Sequence, residues 1–189
     1  MNNLRGILFI TAAMAAFSIE DSFIKHLSGS VPKGQIMLLL GLGGALVFFL
    51  VALRQRVNVF AKRHFSWPLF WRTASESVAA LFFITSLSLV PITTVAAVFQ
   101  ATPLAITLGA ALFLGEQVGW RRWSAIMVGF LGVLIIIRPG MAGFDPASLF
   151  VVITVFTIAA RDLLTRLIPT ETSSTVVSFY GFFALVVSS

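Results

Sequence analysis

No cysteine occurs in this chain of 189 residues, which rules out a disulfide framework and any thiolate metal site and leaves the redox compartment open. Histidine is nearly as scarce. His26 and His64 both fall at the borders of apolar stretches, where a solvated interfacial place is expected, so no intramembrane imidazole is offered to a metal. There is no G-x-x-x-x-G-K phosphate loop, no H-E-x-x-H pair and no G-x-S-x-G nucleophile, and no acid, base and oxyanion-donor set can be read. Energy from bound ATP, metal chemistry and enzymatic activity are therefore not expected, and neither is a cofactor. Charge is thin as well, at 11% of residues. The net +6 is dispersed among short connections and forms no basic face, which argues against a nucleic-acid partner.

What the chain has instead is apolar length. Hydrophobic residues make up 58%, and the mean hydropathy is +1.00, a composition suited to lipid as solvent. A bilayer core about 30 Å thick takes about 20 helical residues to cross. Blocks of roughly that length run Ile7 to Ile24, Ile36 to Leu53, Leu69 to Val90, Val95 to Leu114, Trp120 to Ile137, Leu149 to Ile168, and from Thr175 onward. The expected fold is an all-α, polytopic transmembrane helix bundle.

Cations set the expected orientation. With the amino terminus cytoplasmic, the inner side receives Arg5, Arg54, Arg56, Lys62, Arg63, Arg72, Arg121, Arg122, Arg161 and Arg166, and the outer side only Lys25, Lys33 and Arg138. Trp67, Trp71, Trp120 and Trp123 lie in the inner gaps beside those cations, as interfacial anchors do. Arg5, the run Ile7 to Phe17 and Ala13-Met14-Ala15 imitate a cleavable leader. Apolar character resumes at Ser22-Phe23-Ile24, so a retained first span is the simpler reading.

Sliding the chain by 141 places brings Leu8-Phe9 onto Leu149-Phe150, Asp21 onto Asp162 and Lys25 onto Arg166. Five spans lie within one period, and an odd-numbered repeat must enter the membrane upside down in its second copy, the inverted-repeat plan of many secondary transporters. Unrelated helices of similar composition are the alternative.

The segment Arg72 to Pro139 resembles the first half of an EamA-type transporter of the drug/metabolite transporter superfamily. The resemblance is carried by Arg72, then Leu87-Ser88-Leu89-Val90-Pro91-Ile92-Thr93, Pro103-Leu104, Leu112-Phe113-Leu114-Gly115-Glu116, and Gly129-x-x-Gly132-Val133-Leu134-Ile135 leading to Arg138-Pro139. Phe17 to Lys25, with Glu20-Asp21 inside it, resembles a subgroup with an acid and a Lys late in span one. One departure stands out: many members carry an Arg within span two, where this chain has Gly41 and apolar neighbours, so no role of that Arg carries over. The resemblance implies one five-helix unit over residues 4–139 and the opening of an inverted copy over 146–189, out of the usual ten helices. The chain is thus expected to lack three helices, and the 189-residue product alone is expected neither to accumulate nor to transport. The implied activity is secondary transport of amino acids or small metabolites across a bacterial inner membrane by alternating access.

Charges inside a bilayer cost at least about 2.5 to 3.5 kcal/mol near a helix centre and mark pairings or pathways. Asp21 lies about 21 Å along its helix from Ile7. Lys25, at i+4, stands in the favourable order for a local ion pair. The other reading makes Glu20, Asp21 and Lys25 a charged element at the outer mouth of a solute pathway, matched by Arg161, Asp162 and Arg166 at the inner mouth. A carboxylate there could also take up a proton and couple transport to the proton gradient. Arg72 and Glu76 repeat the i,i+4 theme as an expected structural pair at the inner interface. Ser75, Ser77, Ala79 and Ala80, with Gly109, Gly129 and Gly132, are expected packing positions. In Gln100-Ala101-Thr102-Pro103 the proline has no N–H to donate, so the Phe99 carbonyl is expected to be unpaired at mid-membrane depth, with Gln100 available to a solute. The alternative is a kink healed by Thr102 and a neighbouring helix. Glu116, at a helix carboxyl end where an acid is unfavourable, is expected to pair with Arg121 or Arg122.

Overall fold

The computed structural model describes residues 2–141 and 144–189, with side chains from Leu4. Among the described residues eight α-helices follow one another: α1 (Asn2–Leu27), α2 (Lys33–Arg54), α3 (Trp67–Leu89), α4 (Ile92–Phe99), α5 (Thr102–Phe113), α6 (Trp120–Ile137), α7 (Ser148–Arg166) and α8 (Ser174–Ser188). A short 3-10 turn, Lys62–His64, precedes α3. Local chemistry sets several ends. Ser66 and Ser173 cap α3 and α8 by accepting from the backbone N–H of Leu69 and Val176. Pro91 follows the end of α3. Arg138, in the left-handed region at φ 53°, closes α6 directly before Pro139.

The hydropathy pattern is that of a multi-pass membrane protein. Five helical stretches among the described residues are long and apolar enough to cross a bilayer: Leu4–Leu27, Lys33–Arg54, Ile92–Phe113 (α4 and α5 together), Trp120–Ile137 and Ser148–Arg166. Seven spans are expected from the sequence, and the difference lies in α3 and α8. The 23 residues of α3 are long enough, but Arg72, Glu76 and four serines lower its hydropathy, and α8 has only 15 residues. The first helix also starts earlier and ends later than the expected span.

The bundle is built around α3 and α7, which pack along each other, while α8 lies between α3 and α2 and α5 lies on α7. Met37, Ile84, Leu87, Val95, Val98, Val151 and Val155 form the main buried cluster. A second joins Ala45 and Ala52 of α2 to Val176 and Phe179 of α8, with Val59 from the connection before α3. Close approach of α2 and α8 depends on Gly41, where a β-carbon would stand 2.9 Å from the backbone of Phe182 and Val186. Gly109 and Gly129 likewise receive the side chains of Leu163 and Leu104, whereas a β-carbon at Gly132 would meet no packed neighbour within 4 Å.

α1 and α6 keep most of their apolar surface exposed, including Leu8, Phe9, Met127 and Ile135, as lipid-facing helices do. All four tryptophans are exposed. His64 is not solvated as expected: it is only 4% exposed, and its Nε2 has no hydrogen-bond partner among the described residues. The reason is that the α2–α3 connection folds inward, with Val59 in the core and its carbonyl accepting from the Tyr180 hydroxyl at 3.1 Å.

Candidate functional site: a charged seam between helices

Two ends of the bundle can be told apart by their polar contacts. At the first, α3 begins and α5 and α7 finish; at the second, α1 and α3 finish. They are named here the Arg166 end and the Lys25 end.

At the Arg166 end four charged side chains from α3 and α7 form one network. Arg72 Nη2 lies 3.0 Å from Glu76 Oε2, and Arg161 Nη1 lies 3.0 Å from Glu76 Oε1. Arg161 also donates through Nε and Nη2 to Asp162 Oδ1, at 2.9 and 2.8 Å. Glu76 is thus shared by two guanidinium groups, one from its own helix and one from α7. Two cations and two anions sum to zero, which lowers the cost of holding them out of water. The side chains of Arg72, Glu76 and Arg161 are only 13%, 22% and 24% exposed. A third helix joins through Arg72 Nη1, which donates to the Val177 carbonyl of α8 at 3.3 Å. The Nε of Arg72 and the Thr73 hydroxyl are buried without a partner among the described residues.

Glu116 departs from expectation. Its carboxylate pairs with Arg166 of α7 at 2.6 Å, and Arg121 instead places its guanidinium 5.8 Å from the Trp120 ring centroid. Gly115, at φ +67°, turns the chain so that Glu116 leaves the axis of α5 and reaches the end of α7. At the same end Thr175 donates to Gln55 at 2.8 Å, tying the start of α8 to the end of α2.

At the Lys25 end the local pair does not form. Lys25 Nζ donates to the Val90 carbonyl at 2.8 Å, satisfying an end-of-helix acceptor of α3 with a cation where the helix dipole favours one. Glu20 and Asp21 are half-buried and make no ion pair or side-chain hydrogen bond among the described residues. Asp21 and Asp162 occupy opposite ends. Lys25, one turn beyond Asp21, reaches Val90 just past the end of α3; Arg161, beside Asp162, reaches Glu76 within it; and these two points are 14 residues, about 21 Å, apart.

Between the ends, the expected unpaired carbonyl is absent. α4 and α5 are separated at Gln100-Ala101, but the Thr102 hydroxyl donates to the Phe99 carbonyl at 2.7 Å, replacing the bond Pro103 cannot make. Thr102 is buried, Pro103 exposed, and Gln100 exposed with no side-chain partner among the described residues. The sequence does not announce the contacts of Arg161 with Glu76, of Glu116 with Arg166 or of Arg72 with α8. Each joins residues at least 50 positions apart, and the one available signal was the unusual density of charge at the ends of α3 and α7.

A helical bundle of this hydropathy, with charges paired at a seam between helices, is a polytopic integral membrane protein. Residues 4–138 match the model of the EamA-like transporter family, and the chain belongs to that family. It is 30% identical over 162 residues to a riboflavin transporter of Rhizobium johnstonii, covering 85% of this chain and 54% of that protein. It is 29% identical over 185 residues to a riboflavin transporter of Vibrio cholerae, covering 94% of this chain and 60% of that protein. An S-adenosylmethionine uptake transporter of Rickettsia bellii is 30% identical over 103 residues, which is 54% of this chain and 35% of the relative. The chain therefore spans little more than half the length of the relatives it matches most fully. No solved structure matches it.

Proposed function

We propose that this protein carries a small metabolite or amino acid across the bacterial inner membrane as a secondary transporter, working by alternating access with the amino terminus in the cytoplasm. The observation that supports it best is the match to a transporter family over residues 4–138, which takes in α1 to α6. In this reading residues 4–139 form one unit, and residues 146–189 open a second, inverted one. Glu20, Asp21 and Lys25 stand at the outer mouth, and Arg161, Asp162 and Arg166 at the inner. The opposite-end placement of Asp21 and Asp162 is what such an inversion requires. Gln100, exposed beside the break between α4 and α5, is the polar group offered to solute between the two mouths. Asp21, unpaired on α1, is the proposed site of proton uptake. The names of the relatives make riboflavin and S-adenosylmethionine the first solutes to try.

The test is solute counterflow in liposomes with protein expressed from its own gene, across riboflavin, S-adenosylmethionine and the amino acids. Flux of one solute that is abolished by excess unlabelled solute is the expected result. Absence of flux for all of them in a folded preparation would leave a non-transporting membrane subunit as the better reading.

A further inference from the structure

We infer that Gly181 is a positioning residue for closure of the bundle at its Arg166 end, and that the network around Glu76, together with Glu116–Arg166, is the lock that closes there. This rests on the transport reading above and deepens it.

Three observations carry the inference. First, both ion pairs that reach beyond a single helix among the described residues, Glu76–Arg161 and Glu116–Arg166, link the family-matched segment to α7, the second from the connection between α5 and α6. The bond from Arg72 to the Val177 carbonyl links the same segment to α8. All three lie at the Arg166 end. Second, the other end carries no ion pair across this seam among the described residues; its one charged tie, Lys25 to Val90, stays within the matched segment. The seam is thus pinned by ion pairs at one end and closed at the other by the apolar cluster that holds Leu87, Val90 and Val151, so the ties that can be exchanged when a device opens alternately to two sides are gathered at the Arg166 end.

Third, the fit of α8 onto the network depends on one residue. A β-carbon at position 181 would stand 2.7 Å from Arg72 Nη1 and 3.6 Å from Glu76 Oε2. With no side chain at residue 181, α8 lies directly against the guanidinium; a β-carbon there would require the Nη1 end of Arg72 to shift. Val177, whose carbonyl receives Arg72, is one turn earlier on α8, so the missing side chain and the acceptor form a single notch. Arg72 is held through its two terminal nitrogens alone, since its Nε has no partner. A side chain at 181 would push the nitrogen that holds α8, while leaving the Arg72–Glu76 bond to be reformed with α8 displaced.

The absence of native cysteine makes the test direct. Ser178→Cys, on α8 beside Val177, serves as the reporter, and its rate of reaction with a membrane-impermeant maleimide is followed in inside-out and right-side-out vesicles. The rate should be low in the parent. From the Arg166 side it should rise about five- to thirtyfold with Gly181→Val or Glu76→Gln, the span expected when a two-state equilibrium loses one or two such contacts. Glu116→Arg and Arg166→Glu should each raise it, and the double swap should bring it back towards the parent rate. Should Gly181→Val fail to accumulate, Gly181→Ala and the charge swap carry the test. Parent-like labelling in Gly181→Ala and in both single charge reversals, in folded protein, overturns the lock. Labelling needs no solute, so raised rates in a protein without flux would uphold the lock and remove the transport reading, while flux with unchanged labelling would do the reverse.

Discussion

Lys25 and Asp21 stand one helical turn apart on α1, yet the ammonium of Lys25 donates to the Val90 carbonyl at the end of α3 and leaves the Asp21 carboxylate without a partner among the described residues. The choice is physically reasonable. Val90 is buried, which keeps water from its carbonyl, and α1 has little other contact with the bundle besides the buried Ile24. Lys25 therefore does for α1 what packing does for the other helices.

Lys25→Met should weaken the protein by about 1.5 to 3 kcal/mol, the ordinary worth of a hydrogen bond from a charged donor. The thermal midpoint in detergent would show it. Asp21→Asn should leave that midpoint within about 0.5 kcal/mol, because no bond is lost. Its effect should fall on the proton dependence of solute flux, and flux that keeps the parent's dependence would discard proton uptake at Asp21.

Glu76 serves two cations, so its loss should be felt more than the loss of Asp162, the other acid of the network. Glu76→Gln leaves Arg72 and Arg161 short of charge in a largely buried place, with an expected cost of about 3 kcal/mol. Asp162 is 37% exposed and binds only its neighbour in sequence, so Asp162→Asn should cost less than about 1 kcal/mol. Equal losses of midpoint in the two variants would contradict the shared-anion geometry.

Two glycines should respond in opposite directions. Gly41→Val sets a branched side chain against the backbone of α8 and should markedly lower folded yield, since helix backbone cannot move aside as a side-chain tip can. Gly132→Ala meets nothing within 4 Å and should be neutral, or stabilise α6 by up to about 1 kcal/mol through helix propensity. Fluorescence-detected gel filtration reads both.

Thr102→Val keeps shape and removes one hydroxyl. It should cost about 1 to 2 kcal/mol by returning the Phe99 carbonyl to the unpaired state that Pro103 imposes. Thr102→Ser should recover most of that loss. If Thr102→Val is silent, the carbonyl has found another donor.

The ease with which these features could be read from sequence follows from their range. Apolar length and the distribution of cations come from local composition, so α2, α6 and α7 begin or end close to the expected borders. The i,i+4 spacing of Arg72 and Glu76 is local too, and the 3.0 Å contact is where helix geometry puts it. Local spacing misleads where a distant group competes. Lys25 had Asp21 in reach and took Val90; Glu116 had Arg121 near in sequence and took Arg166. His64 shows the same limit, since nothing in Lys62-Arg63-His64 tells that the loop folds inward. The role of Gly181 was hidden in the same way: a glycine in an apolar run carries no sign of the guanidinium that uses its vacancy.

Orientation in the bilayer is where the charge count can be checked most cleanly, because the chain offers a cysteine-free background. Lys62→Cys reports the α2–α3 connection and Gly140→Cys the turn after α6, both exposed. The cations around Lys62 predict that it faces the cytoplasm, while Arg138 alone is too little to hold the other connection there. Lys62→Cys should therefore react with an impermeant maleimide only in inside-out vesicles, and Gly140→Cys only in right-side-out ones. A further pair, Glu20→Cys and Thr165→Cys, tests the two ends of the charged seam. Labelling from opposite sides is required if Asp21 and Asp162 belong to units inverted with respect to each other, and labelling from one side would remove the inversion while leaving the helical bundle intact.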